Sequence, residues 1–210
     1  SFIGELMIRT ALMCLMMMLS TGTALAAGDT AAGKTKATTC TACHGPDGNS
    51  INPEWPSLAG QNERYLATQI MDFQAGETRK NVMMEPMIAN LTGQDVADIA
   101  AYYASLPRRG LFADEEQLEM IRDGEKLYRG GNQDKGIAAC MGCHGPAGNG
   151  NSLAGFPSVG NQHAKYTAMQ LRAFRSGERM NDLNAMMRDV SERLTDYEID
   201  AVSAYLSGLN

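Results

Sequence analysis

Apolar residues recur along this chain at helical rather than strand spacing. After Asn62, positions Tyr65, Leu66, Gln69, Ile70 and Phe73 fall on one face of a segment that ends near Gly76. Thr92-x-x-Asp95 then has the form of a capping box, followed by Val96, Ile99, Ala100 and Tyr103 until Pro107 stops the helix. Further on, Leu118, Ile121, Leu127 and Tyr128 predict a third helix, in which Gly124 leaves room for a close neighbour. Tyr166, Leu171 and Phe174 predict a fourth, and Ile199, Val202, Leu206 and Leu209 a fifth. No stretch alternates as a half-buried strand would. The predicted fold is all-α.

These elements form two sets. Cys40-x-x-Cys43-His44-Gly45-Pro46 recurs as Cys140-x-x-Cys143-His144-Gly145-Pro146, at an offset of 100. Pro56-Ser57, Gln61, Tyr65, Gln69, Phe73 and Gly76-Glu77 recur at an offset of 101 as Pro157-Ser158, Gln162, Tyr166, Gln170, Phe174 and Gly177-Glu178. Leu91-Thr92, Ile99 and Ala101-Tyr102 recur at 103 as Leu194-Thr195, Val202 and Ala204-Tyr205. A fixed period with two small insertions is a tandem duplication. The predicted organisation is residues 27–107, a linker at 108–114, and residues 115–210. Each half is small enough that its own apolar core is marginal without added bulk.

Residues 1–26 stand apart. Met7-Ile8-Arg9 is a basic start, Ala11 to Leu19 an apolar run, and Ala24-Leu25-Ala26 an A-x-A cleavage site. That is the form of a secretory signal peptide, and the run is too short for a membrane anchor. Residues 1–6 precede what reads as the initiator, Met7. Export implies an oxidising compartment, yet of the five cysteines Cys14 leaves with the leader and the other four all lie in the two pentads. No disulfide remains to be made. A net charge of −6 argues against a nucleic-acid partner and fits docking on a basic patch.

The pentads carry the chemistry. C-x-x-C-H is the attachment pattern for a c-type haem: two thiols on one turn reach the two vinyl groups of one ring, and the adjacent histidine falls beneath the iron. A thioredoxin-like pair or half a zinc site accounts for C-x-x-C but not for the fifth-position histidine, its repetition and the leader. Cys40 and Cys43 are therefore the expected thioether anchors of one haem and Cys140 and Cys143 of a second, with His44 and His144 as iron ligands.

The sixth ligand separates carriers from enzymes. His163 is the only further histidine, so both irons cannot take two histidines. Its repeat partner is Asn62, and it is read as a structural or surface residue. Met83, Met84 and Met87 compete in the first half, and Met180, Met186 and Met187 in the second. Met84 lies seven residues before Leu91 and three after Asn81; Met187 lies seven before Leu194 and three after Asn184. That spacing favours Met84 and Met187, with Asn81 and Asn184 as amide groups that orient the thioethers. Met83 and Met186 are the alternative ligands, otherwise packing neighbours. A thioether favours ferrous iron and fills the site against oxygen and peroxide, which leaves single-electron transfer.

The chain resembles the dihaem cytochromes c4 over essentially all of residues 27–210. The matching stretches include Gly28-Asp29, Leu58-Ala59-Gly60-Gln61, Glu63-Arg64-Tyr65-Leu66, Asp98-Ile99-Ala100-Ala101-Tyr102, Gly124-Glu125-Lys126-Leu127-Tyr128-Arg129-Gly130-Gly131 and Leu153-Ala154-Gly155-Phe156-Pro157. The resemblance implies two class I cytochrome c domains related by pseudo-twofold symmetry, with the haems near the interface and their propionates in hydrogen bonds. It implies that Pro56 and Pro157 offer their carbonyls to His44 and His144. It also implies a periplasmic carrier, often loosely membrane-associated, that passes electrons toward a terminal oxidase; the candidate donors are a quinol-oxidising complex, a blue copper protein or another cytochrome. Asp189 and Glu192 beside Met187, against Ala89 near Met84, predict unequal potentials. Two rivals remain: a dihaem peroxidase, which needs an open iron site, and an obligate cytochrome subunit of a larger redox complex.

Overall fold

A computed structural model describes residues 27–111 and 115–209. Residues 1–26, read from the sequence as a leader, lie outside the described residues, as does the 112–114 part of the predicted linker.

The N-terminal half contains α1 (Thr30–Lys36), α2 (Thr41–His44), α3 (Glu63–Ala75), α4 (Glu85–Ile88) and α5 (Gly93–Ser105). The C-terminal half contains α6 (Leu118–Gly130), α7 (Met141–His144), α8 (Ala164–Ser176), α9 (Met186–Glu192) and α10 (Asp196–Ser207). Two isolated bridges, Asn132 to Ile137 and Asn151 to Phe156, are the β-type pairings among the described residues. The all-helical, duplicated architecture matches the sequence pattern.

The ends of the helices follow from local chemistry. Thr92 and Asp95 cap α5 reciprocally, and Thr195 and Glu198 cap α10 in the same way. Gly76 and Gly177 terminate α3 and α8 in left-handed conformation, at φ 63° and 76°. The first helix of the N-terminal half, α1, is an element that the apolar spacing did not predict. It is seven residues long and buries only Gly33; the side chain of Asp29 caps it by accepting from Ala31 N (2.8 Å) and Ala32 N (3.2 Å).

Each half is built on one close helix crossing. A Cβ on Gly33 would lie 2.5 Å from the Asp98 carbonyl carbon of α5, and one on Gly124 would lie 2.5 Å from the Ala201 carbonyl carbon of α10. Around these crossings sit the two cores. One gathers Ala37, Leu66, Ile99, Ala100, Tyr102 and Tyr103, with Cys40 against it; the other includes Leu127, Tyr128, Ile137, Leu194, Ile199, Val202 and Leu206, with Cys140 against it.

The halves meet across mirrored polar contacts. Asn62 Nδ2 donates to Phe156 O (2.6 Å), while His163 Nε2 lies 2.8 Å from Ser50 O. Arg64 reaches Leu153 O (2.8 Å), while Lys165 pairs with Glu54 (2.6 Å). His163 is thus a contact between halves. The start of the predicted linker is fixed rather than loose: Arg108 donates to Ala59 O (3.1 Å) and Gly60 O (3.0 Å) on one side and to Gly160 O (2.7 Å) on the other.

Candidate functional site: two haem attachment sites

Both pentads open short helices, α2 and α7, in which Cys40 and Cys140 are the N-caps and His44 and His144 the last residues. None of the four cysteines is in a disulfide. Burial pushes the Cys40 thiol above its ordinary value and that of Cys140 up to about 11, so neither is the ready thiolate of a dithiol redox pair. Among the described residues no three His, Cys, Asp or Glu side chains converge on a position for a bare metal ion.

His44 and His144 are both buried. His44 Nδ1 is 2.8 Å from Pro56 O and His144 Nδ1 is 2.9 Å from Pro157 O. A carbonyl only accepts, so Nδ1 carries the proton in each ring and Nε2 keeps its lone pair. Burial lowers both histidines below the ordinary value, against the raising effect of the proline carbonyls, and keeps the rings neutral. Neutral imidazole with one nitrogen pinned and the other free is the form that binds iron.

The methionine loops differ between the halves. Met84 is the N-cap of α4 and half-buried. Asn81 Oδ1 accepts from Met83 N (2.9 Å) and Met84 N (3.1 Å), and Glu85 accepts from Asn81 N (3.1 Å). Met187, also half-buried, lies in the first turn of α9. There the Asp182 carboxylate accepts from Arg188 N (2.9 Å) and Arg188 Nε (2.8 Å). Asn184 and Ala185 just ahead are both left-handed, at φ 53° and 58°.

The two repeated asparagines stand in different backbone settings. The oxygen of Asn81 caps its own turn, as an asparagine two or three residues upstream does, and Asn184 is exposed with left-handed backbone. Met83 and Met186 are 53% and 36% exposed, beside the half-buried Met84 and Met187.

Sequence reasoning missed a pair of arginines between the halves. Arg79 and Arg179 are both buried. Arg79 Nη2 donates to the Tyr166 hydroxyl and Arg179 Nη2 to the Tyr65 hydroxyl, each at 3.0 Å. Gln69 and Gln170 supply further amide oxygens, and the guanidiniums stack on Phe73 and Phe174. Neither has a carboxylate partner among the ion pairs of the described residues. Buried cations without anions are costly, and haem propionates are anions. The offset of 100 between the arginines, at odds with the 101 of their surroundings, hid the repeat. Thiols, pinned imidazoles, half-buried thioethers and unpaired guanidiniums all fit two covalent haems.

A helical tandem with one such site in each half defines a dihaem c-type cytochrome. The Cytochrome c family model matches residues 30–107 and 121–210. Cytochrome c4 of Thiocapsa roseopersicina is 52% identical over 185 residues, 87% of this chain and 94% of that protein. The solved structure of reduced recombinant cytochrome c4 from Pseudomonas stutzeri superposes with a TM-score of 0.84 at 48% identity, covering 88% of this chain and 100% of that one. A more distant relative, the thiosulfate dehydrogenase electron acceptor of Thiomonas intermedia, is 37% identical over 179 residues, 84% of this chain and 81% of that protein. The chain belongs to the cytochrome c4 family: it is an electron-transfer protein that binds two c-type haems.

Proposed function

We propose that this protein is a periplasmic shuttle that carries single electrons from a respiratory donor to a terminal oxidase. Cys40 and Cys43 anchor the first haem, and Cys140 and Cys143 the second. His44 and Met84 ligate the first iron, His144 and Met187 the second. The observation that carries this reading is the repetition, in both halves, of a buried imidazole tied to a proline carbonyl and a half-buried methionine at the same distance before the last helix.

Each bound haem supplies a ferric/ferrous couple; the chain's residues set its conditions. Pro56 and Pro157 hold the proximal imidazoles in one tautomer and orientation, so little reorganises as the iron changes charge. Met84 and Met187 would supply the second ligand to each iron, and a thioether there would favour the ferrous state and close the iron to small ligands. Arg79 and Arg179, buried between the halves, would offset the charge of the haem propionates. The A-x-A leader supports export to the compartment where haem attachment takes place.

The donor is a quinol-oxidising complex, a blue copper protein or another cytochrome. The likeness to a thiosulfate dehydrogenase electron acceptor adds a thiosulfate-oxidising enzyme to these donor classes. The test is addition of carbon monoxide to the reduced protein and cyanide to the oxidised one. Slow or absent spectral change at both haems is expected. Fast change at one haem would establish an open iron and revive the reading of a peroxidase-type enzyme. Purification at fixed stoichiometry with a larger redox complex would instead make the protein an obligate subunit.

A further inference from the structure

The support of each proximal histidine crosses the interface. His44 Nδ1 donates to the carbonyl of Pro56, and that carbonyl belongs to the same peptide group as Ser57 N–H. Ser57 N–H donates to Gln162 Oε1 of the other half (3.0 Å), and Gln162 Nε2 donates back to Ser57 O (2.9 Å). The mirror set is complete. His144 Nδ1 donates to Pro157 O, Ser158 N–H to Gln61 Oε1 (2.8 Å), and Gln61 Nε2 to Ser158 O (2.8 Å).

Both glutamines are held in this orientation by their own backbone. Asn62 N donates to Gln61 Oε1 (2.8 Å) and His163 N to Gln162 Oε1 (3.0 Å), so each oxygen gathers two N–H groups and each nitrogen faces a carbonyl. Ser57, Ser158 and Gln61 are buried and Gln162 is half-buried, so water has little access to these bonds.

We propose that Gln162 tunes the haem of the N-terminal half and Gln61 that of the C-terminal half, as positioning residues acting across the interface. The proposal rests on His44 and His144 being the iron ligands. An amide whose N–H is engaged is polarised, and its carbonyl becomes the stronger acceptor. A stronger acceptor on Nδ1–H makes the imidazole a more basic ligand. A more basic ligand stabilises ferric iron and lowers the potential. Loss of the glutamine amide therefore raises the potential of the opposite half's haem and leaves its own half's haem unchanged. Docking of the halves and the potentials of the haems become one property.

The experiment is a redox titration of the full dihaem protein followed by NMR. Haem methyl signals are assigned to each half through contacts with that half's own residues. In the wild type, haem content and the methionine-to-iron absorption band are measured first. Their failure would overturn the ligand assignment itself, separately from this inference. Gln162→Leu is expected to shift the first haem's one-electron equilibrium about threefold toward ferrous, within the tenfold that corresponds to about 59 mV. Gln61→Leu should do the same at the second haem. Gln162→Glu keeps an acceptor oxygen for Ser57 N–H and should return the first haem to the wild-type potential or below it. Shifts in the variant's own half, equal shifts at both haems, or none at all would overturn the proposal.

Discussion

Replacing Gly124 by alanine tests the helix crossing on which the C-terminal half is built. The new Cβ would lie 2.5 Å from the Ala201 carbonyl carbon and 3.0 Å from the Tyr205 Cβ. The nearest obstacle is backbone of α10, which no side-chain rotation clears, so α6 and α10 must separate. Overpacking of this kind costs about 3 kcal/mol, the upper part of its usual range. Alanine's better helix propensity returns about 1 kcal/mol. The net loss is about 2 kcal/mol, worth roughly 10 °C in melting temperature for a domain of this size. Gly130, in the last turn of the same helix, is the matched control, because a Cβ there would meet nothing within 4 Å. Gly130→Ala should stabilise by about 0.5–1 kcal/mol. Both variants are measured by denaturant titration with circular dichroism and haem absorbance. A Gly124→Ala protein as stable as wild type, or one that tracks Gly130→Ala, would refute the close-crossing argument.

Gly33→Ala should destabilise the N-terminal half in the same way, because its Cβ would lie 2.5 Å from the Asp98 carbonyl carbon. Thr92→Ala and Thr195→Ala each remove one side of a capping box and should each cost about 1 kcal/mol in denaturant titrations. Asp98 accepts from Asp29 N, Lys36 Nζ and Gln94 Nε2, and these bonds, the Asp29 amide first, hold its carboxyl at about 2 against an ordinary 3.8. Its stabilising contribution is therefore present above about pH 4 and is lost as pH falls through about 2. Unfolding free energies from pH 5 to 2 should show this slope in wild type and a shallower one in Asp98→Asn. The exposed Lys165–Glu54 pair should matter little: Lys165→Ala should cost under about 1 kcal/mol, and less in high salt.

The duplication, the all-helical fold and the two haem pentads are legible in the sequence because each repeats with its neighbours in register. Gly124 could be read as a contact point because apolar residues mark the helix around it, whereas Gly33 sits in a short helix without such a stripe. The methionine loops were harder. A shared distance to Leu91 and Leu194 singles out Met84 and Met187, but the same spacing led to Asn81 and Asn184, which the backbone uses differently. Asn184 and Ala185 are left-handed in one loop while the Asn81 turn is not, a difference of φ that residue types do not announce. Asp189 and Glu192, read as the source of unequal potentials, are exposed to screening solvent; the Asp182 side chain, at 3% exposure, is the buried acid beside Met187. Contacts between the halves were the least legible. Gln61 and Gln162 were visible as repeated letters, but their crossed pairing with Ser158 and Ser57 needs the docked geometry.

The central claim is that both irons are held between histidine and methionine. The near-infrared absorption of the oxidised protein, with haem quantified per chain, tests it most directly through the sulfur-to-ferric-iron charge-transfer band. Two haems per chain with a band sized for two sulfur ligands are predicted, with Met84→Ala and Met187→Ala each removing half of it. A band sized for one sulfur ligand, or a high-spin signal from one iron, would contradict the account.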